Sequence, residues 1–214
     1  MSDAVRAQAE QRVGTTLSKW RIDALVGVGG MAAVYAATHR AGHRVAIKVL
    51  HAELSPNATV RERFMREPYV ANRVKHRGAV SILDDDVTPD GCPFFVMDLL
   101  EGEALDALAR RRGRLDIPEV LWIADGLLDL LAVAHDANII HRDIKPQNIF
   151  ITAEPLVRLL DFGVARVTDA MANATVTGAV LGTPAYMVPE HAQGLWSEVD
   201  GRADLWAVGA TMFR

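Results

Sequence analysis

An aspartate, a lysine and an asparagine stand close together in the segment 141–148, His-Arg-Asp-Ile-Lys-Pro-Gln-Asn. Asp143 is suited to orient an attacking hydroxyl group and to accept its proton. Lys145 supplies positive charge near a transferring phosphoryl group, and Asn148 offers an oxygen ligand for Mg²⁺. The three side chains therefore fit phosphoryl transfer; the alternative is a polar turn between a helix and a strand.

A second carboxylate follows thirteen residues after Asn148, in Asp161-Phe162-Gly163. A carboxylate beside a buried aromatic ring and a glycine suits a Mg²⁺ ligand on a movable segment. This tripeptide is common by chance, and its distance from the Asp143 loop is what gives it meaning. We predict that Asp161, like Asn148, is a ligand for Mg²⁺.

Lys48 lies within the otherwise apolar run 45–50, directly after Val45-Ala46-Ile47. An ammonium group in an apolar strand is costly unless it is paired or lies over a ligand, although it can also extend to the surface. Glu67, in the next helical segment, is the predicted partner. Such an ion pair would hold the ammonium against the α- and β-phosphates of a nucleotide.

Glycines cluster in Gly27-Val28-Gly29-Gly30, between two strand-like runs. Without a Cβ atom, backbone N–H groups can approach phosphate oxygens, but a glycine-rich hairpin turn gives the same pattern. The lysine and Ser/Thr of a P-loop are missing, which argues against a P-loop NTPase.

Two types of secondary structure must position these groups. Short apolar runs from Trp20 to Met97 predict an antiparallel sheet, interrupted by one helix over about 58–74. Further helices are predicted over the following segments: Ala104–Arg111, Pro118–Asn138 and Asp200–Arg214. The sequence thus predicts an α+β fold of two lobes with a cleft between them.

Composition excludes several classes of protein. The chain has 214 residues, 50% of them hydrophobic, and a net charge of −4, which gives no drive toward nucleic acid or anionic membranes. Its single cysteine, Cys92, allows no intrachain disulfide and fits a reducing compartment. With neither a signal peptide nor a membrane-length apolar run, we predict a cytoplasmic protein. The basic run 110–114 is a solvated helix end or a phosphate-binding patch.

From Trp20 to its end the chain resembles the protein kinases, most closely the bacterial Ser/Thr kinases of eukaryotic type. The resemblance implies transfer of the γ-phosphoryl group of ATP to Ser/Thr hydroxyls with Mg²⁺. It also implies a flexible lead-in over 1–18, an N-lobe over 19–98 with one main helix, and a partial, mostly helical C-lobe over 99–214.

The resemblance also implies roles for single residues. Asp143 would be the catalytic base and Lys145 the loop lysine of Ser/Thr-type enzymes. Met97 would be the gatekeeper, with backbone groups of Asp98 and Leu100 facing adenine. The remaining predicted ATP contacts are Val26, Gly27, Gly29, Val34, Ala46, Lys48, Glu67 and Phe150.

The segment 161–190 resembles an activation loop. Thr175 and Thr177 lie where related kinases carry phosphothreonine, and a phosphate there could pair with Arg142; the alternative is that both hydroxyls are merely solvated. Thr183 resembles a substrate-docking residue that would hydrogen-bond near the catalytic residues. Asp204 matches a buried helix aspartate that anchors the catalytic loop.

Four features depart from the family pattern. Ala32 replaces the last glycine of the loop, and Val188 replaces the usual alanine. Pro68 removes a backbone donor inside the helix and crowds the preceding turn, so a kink there would redirect Glu67. The sequence ends at Arg214, in what resembles the central C-lobe helix, which predicts either a fragment or a truncated gene.

Two rival functions remain. A small-molecule phosphotransferase would keep the Asp and Asn groups, but Lys145 and the docking segment Gly182–Glu190 disfavour it. A catalytically weak or inactive module that binds nucleotide or partners is favoured by Pro68 and by the missing helices.

The predicted partners are ATP and a protein with Ser/Thr hydroxyls, with no nucleic acid and no membrane segment in this chain. A homodimer that phosphorylates itself is a further partner that the resemblance allows.

Overall fold

The computed structural model describes residues 3–162 and 184–213. These residues form two compact units. The first contains the described residues up to Tyr69 together with Ser81–Leu100, and the second contains Val70–Val80 and the described residues from Glu101 onward. No helix within the described stretches is long and apolar enough to cross a membrane. The lobe bounds predicted from the sequence stay a prediction.

A six-stranded antiparallel sheet dominates the first unit, in the order β1-β2-β3-β4-β6-β5. Its strands are β1 (Thr16–Leu17), β2 (Trp20–Val28), β3 (Ala32–His39), β4 (Arg44–Leu50), β5 (Ile82–Val87) and β6 (Pro93–Asp98). The central strands β3, β4 and β6 are mostly buried, and Tyr35, Ile47 and Val96 lie in their core. The predicted antiparallel sheet is therefore confirmed.

The first unit begins with helix α1 (Asp3–Glu10), where the sequence predicts a flexible lead-in. Ala9 is buried in the same core as the sheet, and its carbonyl oxygen accepts a hydrogen bond from Tyr35 Oη at 3.0 Å. Arg12, just beyond the helix, forms an ion pair with Asp90 at 2.6 Å. The structure thus has an attached helix where the sequence predicts a flexible segment. Its contacts with the sheet come from single small or polar side chains and not from an apolar periodicity, so no sequence pattern indicates them.

Helix α2 (Ala58–Ala71) packs on the sheet and carries Pro68 in its interior. It begins after Asn57, whose side-chain Oδ1 accepts the N–H of Val60 at 3.1 Å and so caps the helix. The ring of Phe64 lies 5.1 Å from that of Phe95 and is buried. The helix ends three residues earlier than predicted but continues past the proline.

The second unit is mostly helical. Its helices are α3 (Leu105–Arg112), α4 (Ile117–Asp136), α5 (Pro189–Ala192) and α6 (Arg202–Phe213). Its small sheet, in the order β7-β8-β9, consists of β7 (Gly102–Ala104), β8 (Ile149–Thr152) and β9 (Val157–Leu159). Single 3₁₀ turns cover Pro146–Asn148, Pro184–Tyr186 and Trp196–Glu198.

The longest helix, α4, forms much of the core of this unit. Asp116 caps its start by accepting the N–H of Glu119 at 2.9 Å, and Pro118 occupies the first turn, where no backbone donor is needed. Leu127 and Leu131 are fully buried. The predicted helix over this segment is confirmed.

Candidate active site

A fully buried carboxylate, Asp204, lies in the first turn of α6 and organises the segment 141–148. It accepts hydrogen bonds from the backbone N–H groups of His141 at 2.9 Å and Arg142 at 2.8 Å. Arg142 has φ = 63°, a conformation that is unfavourable for a long side chain and needs such support. The predicted anchoring role of Asp204 is confirmed.

A third hydrogen bond to Asp204 comes from His135, which the sequence does not predict as a site residue. His135, in the last turn of α4, lies with Nε2 2.8 Å from Asp204 Oδ2. The hydrogen bond to Asp204 raises the pKa of His135, although partial burial acts in the opposite direction. A lone histidine in a helix carries no sequence signal for such a contact.

The structure brings the predicted catalytic residues together. Lys145 Nζ donates to Asp143 Oδ2 at 2.9 Å. Asn148 Nδ2 donates to the backbone oxygen of Asp143 at 2.8 Å and to its Oδ2 at 3.2 Å. Because the amide nitrogen faces Asp143, the amide oxygen is the atom of Asn148 that a cation would use.

Asp161 is positioned by the β8–β9 hairpin. Ile149 pairs with Leu159, and Leu160 N–H donates to the backbone oxygen of Asn148 at 2.8 Å. This ladder puts the residue after Leu160 near the end of the segment 141–148. Asp161 has φ = 55° and an exposed side chain.

His141 connects the segment 141–148 to the two residues that flank Asp161, Leu160 and Phe162. Its ring is fully buried; Nδ1 accepts the N–H of Asp143 at 3.3 Å, and Nε2 donates to the backbone oxygen of Leu160 at 2.9 Å. The ring also lies 5.1 Å from that of Phe162. Burial lowers the pKa of His141, so the imidazole stays neutral, as these two hydrogen bonds require.

In the first unit, Lys48 Nζ contacts both carboxylate oxygens of Glu67, at 2.8 and 3.1 Å. The two side chains are only 12% and 14% exposed, and the ammonium also lies 5.5 Å from the centre of the Phe95 ring. The predicted ion pair is present. Glu67 thus contacts Lys48 although Pro68 directly follows it, so the redirection of Glu67 that a kink at Pro68 would cause is not seen.

The glycine cluster lies at the end of β2 and in the turn that follows. Gly27 and Gly30 have no neighbouring atom within 4 Å of the position a Cβ atom would take, and neither has a positive φ. Neither packing nor backbone conformation within the described chain therefore explains these two glycines. Ala32, in place of the last glycine, is buried beside Leu50 and Phe64, which explains why a methyl group fits there.

The other predicted ATP contacts are distributed over both units. Val26 is exposed on β2, Val34 is partly buried on β3, and Ala46 is buried on β4 opposite Met97, which is partly buried. The remaining three are Asp98 at the end of β6, Leu100 just beyond it and Phe150 on β8 in the second unit.

The Asp98 N–H donates to the backbone oxygen of Ser81 at 3.1 Å, so this donor is already used. Leu100 and Phe150 are both partly buried.

Three predicted residues, Thr175, Thr177 and Thr183, lie outside the described residues, as does Gly163. Val188, the other departure from the family pattern, is buried against Val199 and Ala203. The larger side chain therefore fills a packed position.

Three of the four arginines in the basic run 110–114 form ion pairs with nearby carboxylates. Arg110 pairs with Asp106 at 2.7 Å, Arg112 pairs with Glu119 at 2.6 Å, and Arg111 pairs with Glu103. These pairs favour the interpretation of a solvated helix end over a phosphate-binding patch.

Over residues 3–162 and 184–213, no group of three or more His, Cys, Asp or Glu side chains forms a metal site.

Comparisons with known proteins agree with this geometry. The chain is 40% identical over 207 residues to the Ser/Thr-protein kinase Pkn1 of Myxococcus xanthus, covering 94% of this chain and 29% of that protein. It is 40% identical over 215 residues to the Ser/Thr-protein kinase pkn3 of the same organism, covering 96% of this chain and 39% of that protein. The chain thus spans well under half the length of these relatives.

Among solved structures, the PknI kinase domain of Mycobacterium tuberculosis is 29% identical, with a TM-score of 0.71, and the match covers 94% of this chain and 73% of that one. This similarity agrees with the predicted α+β kinase fold. The sequence profile of the protein kinase domain matches residues 20–214. The chain therefore belongs to the protein kinase domain family.

Proposed function

We propose that this chain transfers the γ-phosphoryl group of ATP to Ser/Thr hydroxyl groups of proteins, with Mg²⁺. One observation carries the proposal: the Asp143 carboxylate is hydrogen-bonded by Lys145 and Asn148 in a loop that the buried Asp204 anchors. Such a pre-organised arrangement is what phosphoryl transfer requires of a protein, because positioning and charge stabilisation account for most of its catalysis.

Asp143 would orient the hydroxyl group of the substrate and accept its proton. Lys145, held 2.9 Å from the same carboxylate, would place its positive charge where negative charge develops on the phosphoryl oxygens. Because the carboxylate is held by side chains from its own loop, its position does not depend on the substrate.

The donor set suits Mg²⁺ carried by a nucleotide. Bound Mg²⁺ would supply charge neutralisation at the phosphate oxygens. The two predicted ligands are the amide oxygen of Asn148 and the exposed carboxylate of Asp161. A hard oxygen set with only one or two protein ligands is the usual way in which proteins hold Mg²⁺ together with a phosphate substrate.

Two features of the first unit support nucleotide binding. The Lys48 ammonium is paired with Glu67 and is mostly buried, so it presents a fixed charge to the α- and β-phosphates. The open space at Gly27 and Gly30 leaves room for phosphate oxygens near the backbone. We assign the predicted adenine contacts, at Met97, Asp98 and Leu100, to the same nucleotide.

Regulation by phosphorylation belongs to the same proposal. Within the described part of the chain, Arg142 Nε is buried without a hydrogen-bond partner, and burial lowers the pKa of the guanidinium group. A phosphate on Thr175 or Thr177 would satisfy this donor and remove the cost of its burial.

We likewise propose that Thr183 docks the substrate, that a second copy of the chain can act as substrate, and that the protein is cytoplasmic.

The proposal is tested by incubating the purified chain with Mg-ATP and mapping its phosphorylated residues. The variants to compare are Asp143→Asn and, as a matched control, Asp125→Asn, which changes an exposed aspartate on α4. We expect phosphate on Thr175 or Thr177 in the wild type and in the control, and none in Asp143→Asn. A folded wild-type chain that binds ATP but transfers no phosphate to itself or to a general protein substrate would support the inactive module instead.

Pro68 gives no support to the alternative of an inactive module, because Glu67 contacts Lys48 although the proline directly follows it. A small-molecule phosphotransferase is distinguished by its products: it would phosphorylate a small alcohol in the same assay and leave proteins unlabelled.

A further inference from the structure

His51 immediately follows β4 and contacts the glycine-rich turn twice. Its ring Nε2 lies 2.8 Å from the backbone oxygen of Gly29, and its own N–H donates to the backbone oxygen of Met31 at 3.0 Å. Because Gly29 O can only accept, Nε2 must carry the hydrogen atom of this bond. One residue outside the turn thus holds two of its carbonyl groups.

These two contacts fix the direction of the N–H groups that follow. The chain has no cis peptide bond among its described residues, and in a trans peptide the C=O and the next N–H point in opposite directions. When Gly29 O is held toward His51, the N–H of Gly30 must point away from His51. In the same way, the hydrogen bond from His51 N–H to Met31 O orients the Met31–Ala32 peptide plane.

The turn needs this support because little else restrains it. Gly30 has open space around its Cβ position, and glycine is the residue with the greatest backbone freedom. The Gly29 N–H bonds to Ala32 O at 2.8 Å, which closes the turn but leaves the Gly29–Gly30 peptide plane able to rotate. The imidazole supplies the missing restraint on that plane.

We propose that His51 is a positioning residue that holds the Gly30 N–H in the orientation that binds the phosphate groups of the nucleotide. The inference rests on the proposed function, since it concerns ATP bound at this turn. His51 would act through the backbone and would not contact the nucleotide itself. Its removal should therefore weaken the binding of phosphates and leave the binding of the base unchanged.

The test compares His51→Leu with His51→Gln, whose amide nitrogen can reach the position of Nε2. His43→Leu serves as the matched control, because His43 is exposed in the β3–β4 turn and makes no contact with the glycine-rich turn. Affinities for Mg-ATP and for adenosine, which has no phosphate, are measured by calorimetry on the whole chain. KM for ATP and kcat are measured alongside.

We expect His51→Leu to bind Mg-ATP about threefold to tenfold more weakly, the usual effect of one lost hydrogen bond, with adenosine affinity unchanged. KM for ATP should rise with kcat nearly constant, and His51→Gln should recover most of the loss. Equal Mg-ATP affinity in the wild type and His51→Leu overturns the inference, as does an equal loss for adenosine and Mg-ATP. A wild-type chain that binds neither ligand instead contradicts the proposed function.

Discussion

Asp204 shows what a single buried charge does in this protein. Its side chain is fully buried, and it accepts hydrogen bonds from two backbone N–H groups and from His135. A carboxylate without such partners would be very costly in this position. The charge is therefore balanced by two donors of the segment 141–148 and by His135 of α4, and the conformation of the segment 141–148 depends on it.

We predict that Asp204→Asn lowers the free energy of unfolding by about 2–4 kcal/mol, because the amide group cannot serve three donors and loses the charge that strengthens them. Phosphotransfer should fall at least tenfold. Asp200→Asn is the matched control: this aspartate is exposed, pairs with Arg202, and should change stability by less than about 1 kcal/mol. Urea denaturation of both variants checks the prediction, and equal stability in the two contradicts it.

The ion pair between His135 and Asp204 should make stability depend on pH. The pKa of His135 is raised in the folded chain, so its stabilising effect is complete below the unfolded value of about 6.5. The effect is lost as the pH rises through the raised folded value. The free-energy difference between the wild type and His135→Gln should therefore be largest at acid pH, on the order of 1 kcal/mol, and should shrink at alkaline pH.

Denaturation of the two chains from pH 5.5 to 9 measures this difference. The same comparison in an Asp204→Asn background is the control, and there the difference should vary much less with pH, because only the charges of Asp200 and Asp136 still raise the pKa of His135. A difference that is constant over the whole range in the wild-type background contradicts the assignment.

At the scale of elements, α2 explains why a proline is tolerated next to a predicted active-site residue. Lys48 and Phe95 are direct partners across β4 and β6. Phe64 packs on Phe95 and Glu67 pairs with Lys48, so two contacts one helical turn apart hold α2 to the sheet. Pro68 therefore does not keep the side chain of Glu67 from reaching Lys48.

Pro68→Ala should stabilise the chain. A proline inside a helix costs about 3 kcal/mol, while its removal loses some ring burial and raises the entropy of the unfolded chain, so we expect a net gain of about 1–2 kcal/mol. Pro56→Ala, in the turn before α2, is the control and should not stabilise. Thermal denaturation measures both. A loss of stability in Pro68→Ala would mean that packing of the buried ring outweighs the missing hydrogen bond.

Elements with strong local signals were predicted well, and those held by distant contacts were not. The periodicity of α4 and the apolar runs of β3, β4 and β6 were sufficient to identify them. Helix α1 was missed, because its attachment depends on Ala9 and on Tyr35 far along the chain. No local pattern encodes such a contact.

For the molecule as a whole, the candidate site also divides into residues that local sequence signals identify and residues that only distant contacts reveal. Asp143, Lys145 and Asn148 are neighbours in sequence, and the β8–β9 hairpin brings Asp161 close by local pairing, so motif spacing alone identifies them. The contacts of His135, His141 and His51 join segments that are distant in sequence and could be found only in the folded chain. The sequence thus identified the groups proposed for the chemistry, and the structure identified the groups that hold them in place.

Nucleotide binding should stabilise the whole chain. The resulting rise in Tm should have two parts, one from the contact of Lys48 with the phosphates and one from Mg²⁺. A ligand at one hundred times its Kd adds about 2.7 kcal/mol, or roughly 5–10 °C in Tm for a chain of this size. We predict that Lys48→Met lowers this shift both for Mg-ATP and for ATP with EDTA, because the ammonium contacts phosphates with or without metal. Asp161→Asn should remove only the extra shift that Mg²⁺ provides.

Thermal scans with Mg-ATP, with ATP and EDTA, and with Mg²⁺ alone separate these effects, and Asp125→Asn is the control for a lost surface carboxylate. If Asp161→Asn keeps the full magnesium-dependent shift, Asp161 is not a metal ligand. If Lys48→Met binds both forms as tightly as the wild type, the buried ion pair with Glu67 serves the stability of the first unit and not the nucleotide. Because the two variants change different units, each result assigns a role to its own unit without depending on the other.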